Sequence, residues 1–113
     1  MKIGIAQINT TVGDLTGNFE ILRCAYDELS SDGADLVIFP ELALSGYPPR
    51  DLLLKKRFGE DCSEKLNQFA KLTGSCPALL GYPEKIDLKQ GRSYYNSAAL
   101  CFDGVVKQVF RKR

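Results

Sequence analysis

The sequence predicts a layered α/β fold, with helices packed on one face of a mixed sheet and a β-hairpin at its end. Three observations predict it. Short apolar runs alternate with segments whose apolar residues recur at helical spacing. One run, residues 34–40 (ADLVIFP), is apolar apart from Asp35, as in a strand covered on both faces. Asp103-Gly104, between two strand-like stretches, is a strong two-residue hairpin signal.

Taken in order, residues 2–8 (KIGIAQI) read as a first strand, and residues 10–13 as a polar turn. Leu15, Phe19, Leu22, Tyr26 and Leu29 then form one face of a helix, with Asp14 or Thr16 to cap its start and Gly33 at its end. Residues 34–40 are the second strand. Gly46, Pro48 and Pro49 make residues 41–54 a loop before any short helix. Cys62, Leu66, Phe69, Ala70 and Thr73 mark a second amphipathic helix closed by Gly74. Residues 78–82 read as a third strand, and the polar residues 84–92 as an exposed loop. Residues 94–102 and 105–111 flank the hairpin turn. In a two-residue hairpin Phe102 faces Val105 and Tyr95 faces Lys112, with Val106, Gln108, Phe110 and Lys112 on one face; a three-residue loop with a bulge would shift this register by one. The pattern is still running at Arg113, so residues 1–113 are expected to be part of one longer domain.

Composition narrows the function. The 113 residues carry a net charge of +1, with no basic stripe or acidic run, which argues against nucleic acid or anionic membrane as partner. Lys55, Lys56 and Arg57, and the terminal Arg111, Lys112 and Arg113, are clusters too short for a binding tract. No apolar run approaches the roughly 20 residues a membrane helix needs, and residues 1–4 lack a signal-peptide core, so the cytoplasm is the expected compartment. Cys24, Cys62, Cys76 and Cys101 are scattered, and histidine is absent. Zinc sites of the Cys/His kind, disulfide scaffolds and His-dependent triads are therefore not expected.

Three groups of residues can carry chemistry. Phe39-Pro40-Glu41 closes the buried second strand, and functional groups gather at the carboxyl ends of such strands. Desolvation there would raise the pKa of Glu41 toward that of a general base; by spacing alone, a strand cap or an ion pair with a neighbouring lysine is the favoured reading. Lys112, following Phe110 and Arg111, offers an ammonium that can stabilise developing negative charge, or simply a solvated lysine. Tyr94-Tyr95-Asn96-Ser97-Ala98 opens a strand with two aromatics and then small residues, which packing alone explains.

Together these segments resemble the carbon–nitrogen hydrolase (nitrilase) superfamily. The resemblance rests on Ala6-Gln7-Ile8-Asn9, Gly13-Asp14, Asn18, the run from Ala34 through Phe39-Pro40-Glu41-Leu42, Gly81-Tyr82-Pro83, Tyr95-Asn96-Ser97-Ala98 and Phe110-Arg111-Lys112. More discriminating is Ser45-Gly46-Tyr47-Pro48-Pro49-Arg50-Asp51-Leu52-Leu53, which is similar to the glutaminase domains of glutamine-dependent NAD synthetases. The resemblance implies the first part of an α-β-β-α sandwich and a Glu-Lys-Cys triad. By motif, Glu41 matches its general base and Lys112 its supporting lysine. The family's nucleophilic cysteine lies tens of residues beyond that lysine, and Cys24, Cys62, Cys76 and Cys101 read instead as packing residues. The implied activity is glutamine hydrolysis feeding ammonia to an ATP-dependent, magnesium-requiring amidation of deamido-NAD in a separate domain. The parent is expected to be a homo-oligomer, and these residues alone are expected to be inactive. A piece of a stand-alone amidase, and a non-catalytic relic or interaction module, are the alternatives.

Overall fold

The computed structural model describes residues 1–47, 57–88 and 91–112. The Pro48–Leu53 part of the discriminating motif, with Lys55, Lys56 and Arg113, lies outside the described residues. The elements run β1 (Ile3–Ile5), α1 (Leu15–Ser31), β2 (Leu36–Ile38), α2 (Phe58–Leu72), β3 (Ala78–Leu88), β4 (Gly91–Phe102) and β5 (Val105–Arg111). The five strands form one sheet in chain order. β1, β2 and β3 are mutually parallel, and β4 and β5 continue the sheet antiparallel.

Local chemistry explains the boundaries of α1. The Asp14 carboxylate accepts from the Gly17 backbone N–H, satisfying one orphan donor of the first turn. At the other end Gly33 takes a left-handed φ of 91°. Its N–H bonds the Ser30 carbonyl and the Ala34 N–H bonds the Leu29 carbonyl, the paired bonds of a Schellman ending. β2 starts two residues later.

Parity across the sheet separates two faces. Gly4, Val37, Ala78, Cys101 and Val106 lie on one cross-strand row, and Leu80, Ala99 and Val109 on another. Leu22 and Tyr26 of α1 and Cys62, Leu66, Phe69 and Ala70 of α2 join these rows in one buried cluster. Phe69 is fully buried and meets Tyr26 and Phe39 edge-on, with ring centroids 5.9 and 5.6 Å away. The opposite rows, Ile5, Ile38, Leu79 and Leu100, then Gly81, Ala98 and Phe110, face away from the helices. Ile5 is 66% exposed and Phe110 48%.

Three expectations need correction. Residues 84–88 and 91–92 are strand rather than loop, so β3 and β4 pair from Ala78↔Cys101 out to Leu88↔Gly91. Two of the polar residues are ion-pair partners: Lys85 bonds Glu60, and Glu84 bonds Arg111. The hairpin does turn at Asp103-Gly104, both at positive φ (53° and 82°), and Phe102 does face Val105. Beyond that, however, Cys101 pairs with Val106 while Leu100 pairs with Gln108, so Lys107 is an extra residue, a β-bulge. The bulge puts Val106 on the helix face, leaves Gln108, Phe110 and Lys112 together on the other, and sets Lys112 beside Asn96, not Tyr95.

Candidate active site

The site forms where the chain leaves β2. Phe39 turns into the helix-side core, and residues 41–45 make a tight turn in which Leu42 holds a φ of 51°, an unfavourable value for a leucine. Four contacts impose it. Ala43 N–H bonds the Pro40 carbonyl, Leu44 N–H bonds the Gly81 carbonyl on β3, and Gly13 N–H bonds the Ser45 carbonyl. The fully buried Asn18 then donates to the Leu44 and Thr11 carbonyls and accepts from the Thr11 N–H. Asn18 thereby ties α1, the loop after β1 and the Glu41 turn into one unit.

β5 brings the second residue. Arg111 is held by a two-pronged bond to the Glu84 carboxylate (2.7 and 2.9 Å), stands over the Tyr95 ring at 5.1 Å, and Ser97 donates to the same carboxylate. The Arg111 guanidinium holds the Glu84 carboxyl below the usual carboxylate range. With Arg111 pinned on the helix side, the next residue is set on the open face, where the Lys112 N–H bonds the Asn96 carbonyl at 2.9 Å.

Glu41 and Lys112, 71 residues apart in the chain, meet there: Lys112 Nζ lies 3.1 Å from Glu41 Oε1. The Asn96 side-chain amide donates to the same oxygen. The two donors, Lys112 first and Asn96 second, hold the Glu41 carboxyl below its ordinary value. This corrects the expected rise: the side chain is 43% exposed, and desolvation is the weaker influence. The surrounding cleft, of about 310 Å³, is lined chiefly by Phe39, Leu79, Gly81, Ala98 and Phe110, with Glu41, Asn96 and Lys112 as its polar end. It lies at the carboxyl ends of the parallel strands.

Sequence reasoning paired Glu41 with Lys112 but missed Asn96, which it read as a packing residue of a small-residue stretch, and Gly81. A side chain at Gly81 would sit 2.6 Å from the Leu42 nitrogen and 2.8 Å from the Pro40 oxygen, so the close turn needs glycine there. The signal for Asn96 was its place directly before the small residues Ser97 and Ala98, on a strand feeding the same end of the sheet.

Among the described residues no cysteine lines the cleft. Cys62 and Cys101 are buried and Cys76 partly so, and burial pushes their thiols up, Cys62 to about 12 and Cys101 to about 11. Such thiols are poor nucleophiles. Their folded pKa values lie above the ordinary 9.0, so the stability they contribute is fully present below pH 9 and is lost as pH rises toward 11–12. The urea midpoint is therefore expected to fall between pH 8.5 and 10.5. A Cys62→Ala, Cys101→Ala double variant should lose part of that fall; an unchanged dependence contradicts the burial of these thiols.

Among the described residues no group of three or more His, Cys, Asp or Glu could hold a metal ion, and no helix is long and apolar enough to cross a membrane. A family model of carbon–nitrogen hydrolases matches residues 2–113. The chain belongs to the carbon–nitrogen hydrolase family.

Relatives and solved structures refine the placement of this carbon–nitrogen hydrolase. It is 39% identical over 114 residues to a glutamine-dependent NAD(+) synthetase of Xylella fastidiosa, covering 100% of the chain and 20% of that protein. It is 41% identical to the glutamine-dependent NAD(+) synthetase of Synechocystis sp., covering 97% of the chain and 20% of that protein. The chain thus spans about a fifth of the length of the curated relatives it matches. The crystal structure of a glutamine-dependent NAD(+) synthetase from Cytophaga hutchinsonii superposes with a TM-score of 0.87 at 27% identity, over 98% of the chain and 18% of that structure. An amidase from Nesterenkonia sp. shares the fold, with a TM-score of 0.78 at 22% identity over 99% of the chain and 42% of that structure. Two helices on a five-stranded mixed sheet are the arrangement expected from the sequence for a carbon–nitrogen hydrolase.

Proposed function

We propose that the chain is the first part of a glutaminase domain of a glutamine-dependent NAD synthetase, in which Glu41 is the general base and Lys112 stabilises the tetrahedral intermediate. The observation that carries this reading is the contact of Glu41 with Lys112 at the polar end of an otherwise apolar cleft. The synthetase relatives support the choice of glutamine as substrate.

The chemistry follows from the residue types. Glu41, as carboxylate, takes the proton of a cysteine thiol, and the thiolate attacks the side-chain amide carbon of glutamine. The Lys112 ammonium, already beside Glu41, balances the charge that grows on the amide oxygen. Glu41 returns its proton to the departing nitrogen, ammonia leaves, and a C–S thioester remains. Water, deprotonated by Glu41, then releases glutamate and the free thiol. The cysteine is supplied, in this proposal, by sequence following Arg113 in the whole gene product. Mg-ATP and deamido-NAD react in another domain, which uses the ammonia.

As a separate chain, these 113 residues are expected to release no ammonia from glutamine, because a triad acts as a unit and losing the nucleophile costs on the order of a millionfold. Steady ammonia production abolished by alanine at Cys24, Cys62, Cys76 or Cys101 would overturn this. The wider reading is tested by the gene sequence after Arg113 and by assay of its full product with deamido-NAD and Mg-ATP. NAD formation supported by glutamine is the expected result. An early stop with amidase activity on other amides assigns the chain to a stand-alone amidase instead.

A further inference from the structure

The Glu41 carboxylate is anchored through one oxygen. Among the described residues both donors, the Asn96 amide and the Lys112 ammonium, reach Oε1, and none reaches Oε2. The two donors differ in how well they can hold it. Lys112 is a long, flexible side chain that is 69% exposed, and such an ion pair is easily traded for water. Asn96 has a short side chain on a strand whose register is set on both sides, by Pro83 on β3 and by the backbone bond from Lys112 at the end of β5. Asn96 therefore touches both charged residues of the site, Glu41 by its side chain and Lys112 by its main chain.

We infer that Asn96 is the positioning residue of this site, clamping Glu41 Oε1 so that Oε2 is the oxygen that takes and returns the proton. The chemistry favours an asparagine. Its NH₂ cannot be lost at neutral pH, so it donates to Oε1 both when Glu41 is ionised and when Oε2 carries a proton and Oε1 is the carbonyl oxygen. The reversed amide would set an oxygen against the carboxylate, which fixes its orientation. An ammonium alone in this place would follow the negative charge onto the reacting amide, releasing the carboxylate at the step that needs it aimed. The destination of the proton rests on the proposed function; the clamp is a property of the chain itself and is tested without catalysis.

The test is an NMR titration of the 113-residue chain, following the Glu41 carboxyl carbon and the Asn96 side-chain NH₂. In the wild-type chain the Asn96 NH₂ resonances are expected to shift with the same midpoint as Glu41, below the ordinary carboxylate value. Lys112→Met should leave that linkage in place. Asn96→Ala should move the Glu41 midpoint upward, while the Glu84 midpoint, set by Arg111, stays where it was and reports an intact fold. An Asn96 NH₂ blind to Glu41 ionisation in the wild-type chain overturns the clamp without any variant. So does an unmoved Glu41 midpoint in an Asn96→Ala chain whose Glu84 titration is normal. If the clamp is present but the full gene product does not hydrolyse glutamine, the proposed reaction fails and the clamp stands.

Discussion

Gly81→Ala is expected to lower stability by about 3 kcal/mol and to pull Glu41 away from Lys112. The added methyl would lie 2.6 Å from the Leu42 nitrogen, 2.8 Å from the Pro40 oxygen and 3.2 Å from the Glu41 carbonyl carbon. All three are backbone atoms, so no side chain can rotate out of the way. Relief must come from moving the turn off β3, which breaks the bond from the Leu44 N–H to the Gly81 carbonyl and frees Leu42 from its left-handed φ. Glu41 sits at the start of that turn and travels with it. A stability change of this size lowers the thermal midpoint by roughly 12 °C in a domain of this length. The Glu41 titration should also rise toward its ordinary value as its donors are lost. Gly74→Ala is the control, since nothing lies within 4 Å of its added methyl. A Gly81→Ala chain with an unchanged midpoint would mean that the turn is not held as described.

Phe69→Ala is expected to cost about 4 kcal/mol, a large part of the roughly 5–15 kcal/mol by which a small domain is stable. Phe69 is completely buried and is the ring on which Tyr26 of α1 and Phe39 of the site strand both stand edge-on. Its removal takes away a large apolar side chain and two aromatic contacts, and leaves a cavity between both helices and the sheet. Leu72→Ala, on the same helix but 40% exposed, should change stability by no more than about 0.5 kcal/mol. Urea unfolding of the two variants beside the wild type checks the difference; equal midpoints would contradict the assigned core.

Much of this architecture could be read from residues close together in the chain. The apolar period of α1, with Asp14 before it and Gly33 after it, specifies that helix and both its ends. Asp103-Gly104 specifies the turn, because few other pairs adopt positive φ at both positions. What escaped reading depends on distant partners. The bulge at Lys107 uses no special residue, so nothing local marks it, yet it moves Lys112 from Tyr95 to Asn96. The polar stretch from Glu84 resembles a loop until its partners Glu60 and Arg111 are known. Gly81 and Leu42 explain each other, but only once β3 is seen to pass under the turn after β2. The lowered pKa of Glu41 follows from two donors, 55 and 71 residues away, rather than from the apolar run beside it.

The most direct test of the assignment of Glu41 and Lys112 is ammonia release from glutamine by the full gene product carrying Glu41→Gln or Lys112→Met. Each is expected to lower kcat/KM by about a thousandfold, the scale of a lost general base or charge-stabilising group. NAD synthesis supplied with an ammonium salt in place of glutamine should be unaffected, which separates lost chemistry from lost folding. Glutamine hydrolysis within about tenfold of wild type in either variant would contradict the assignment.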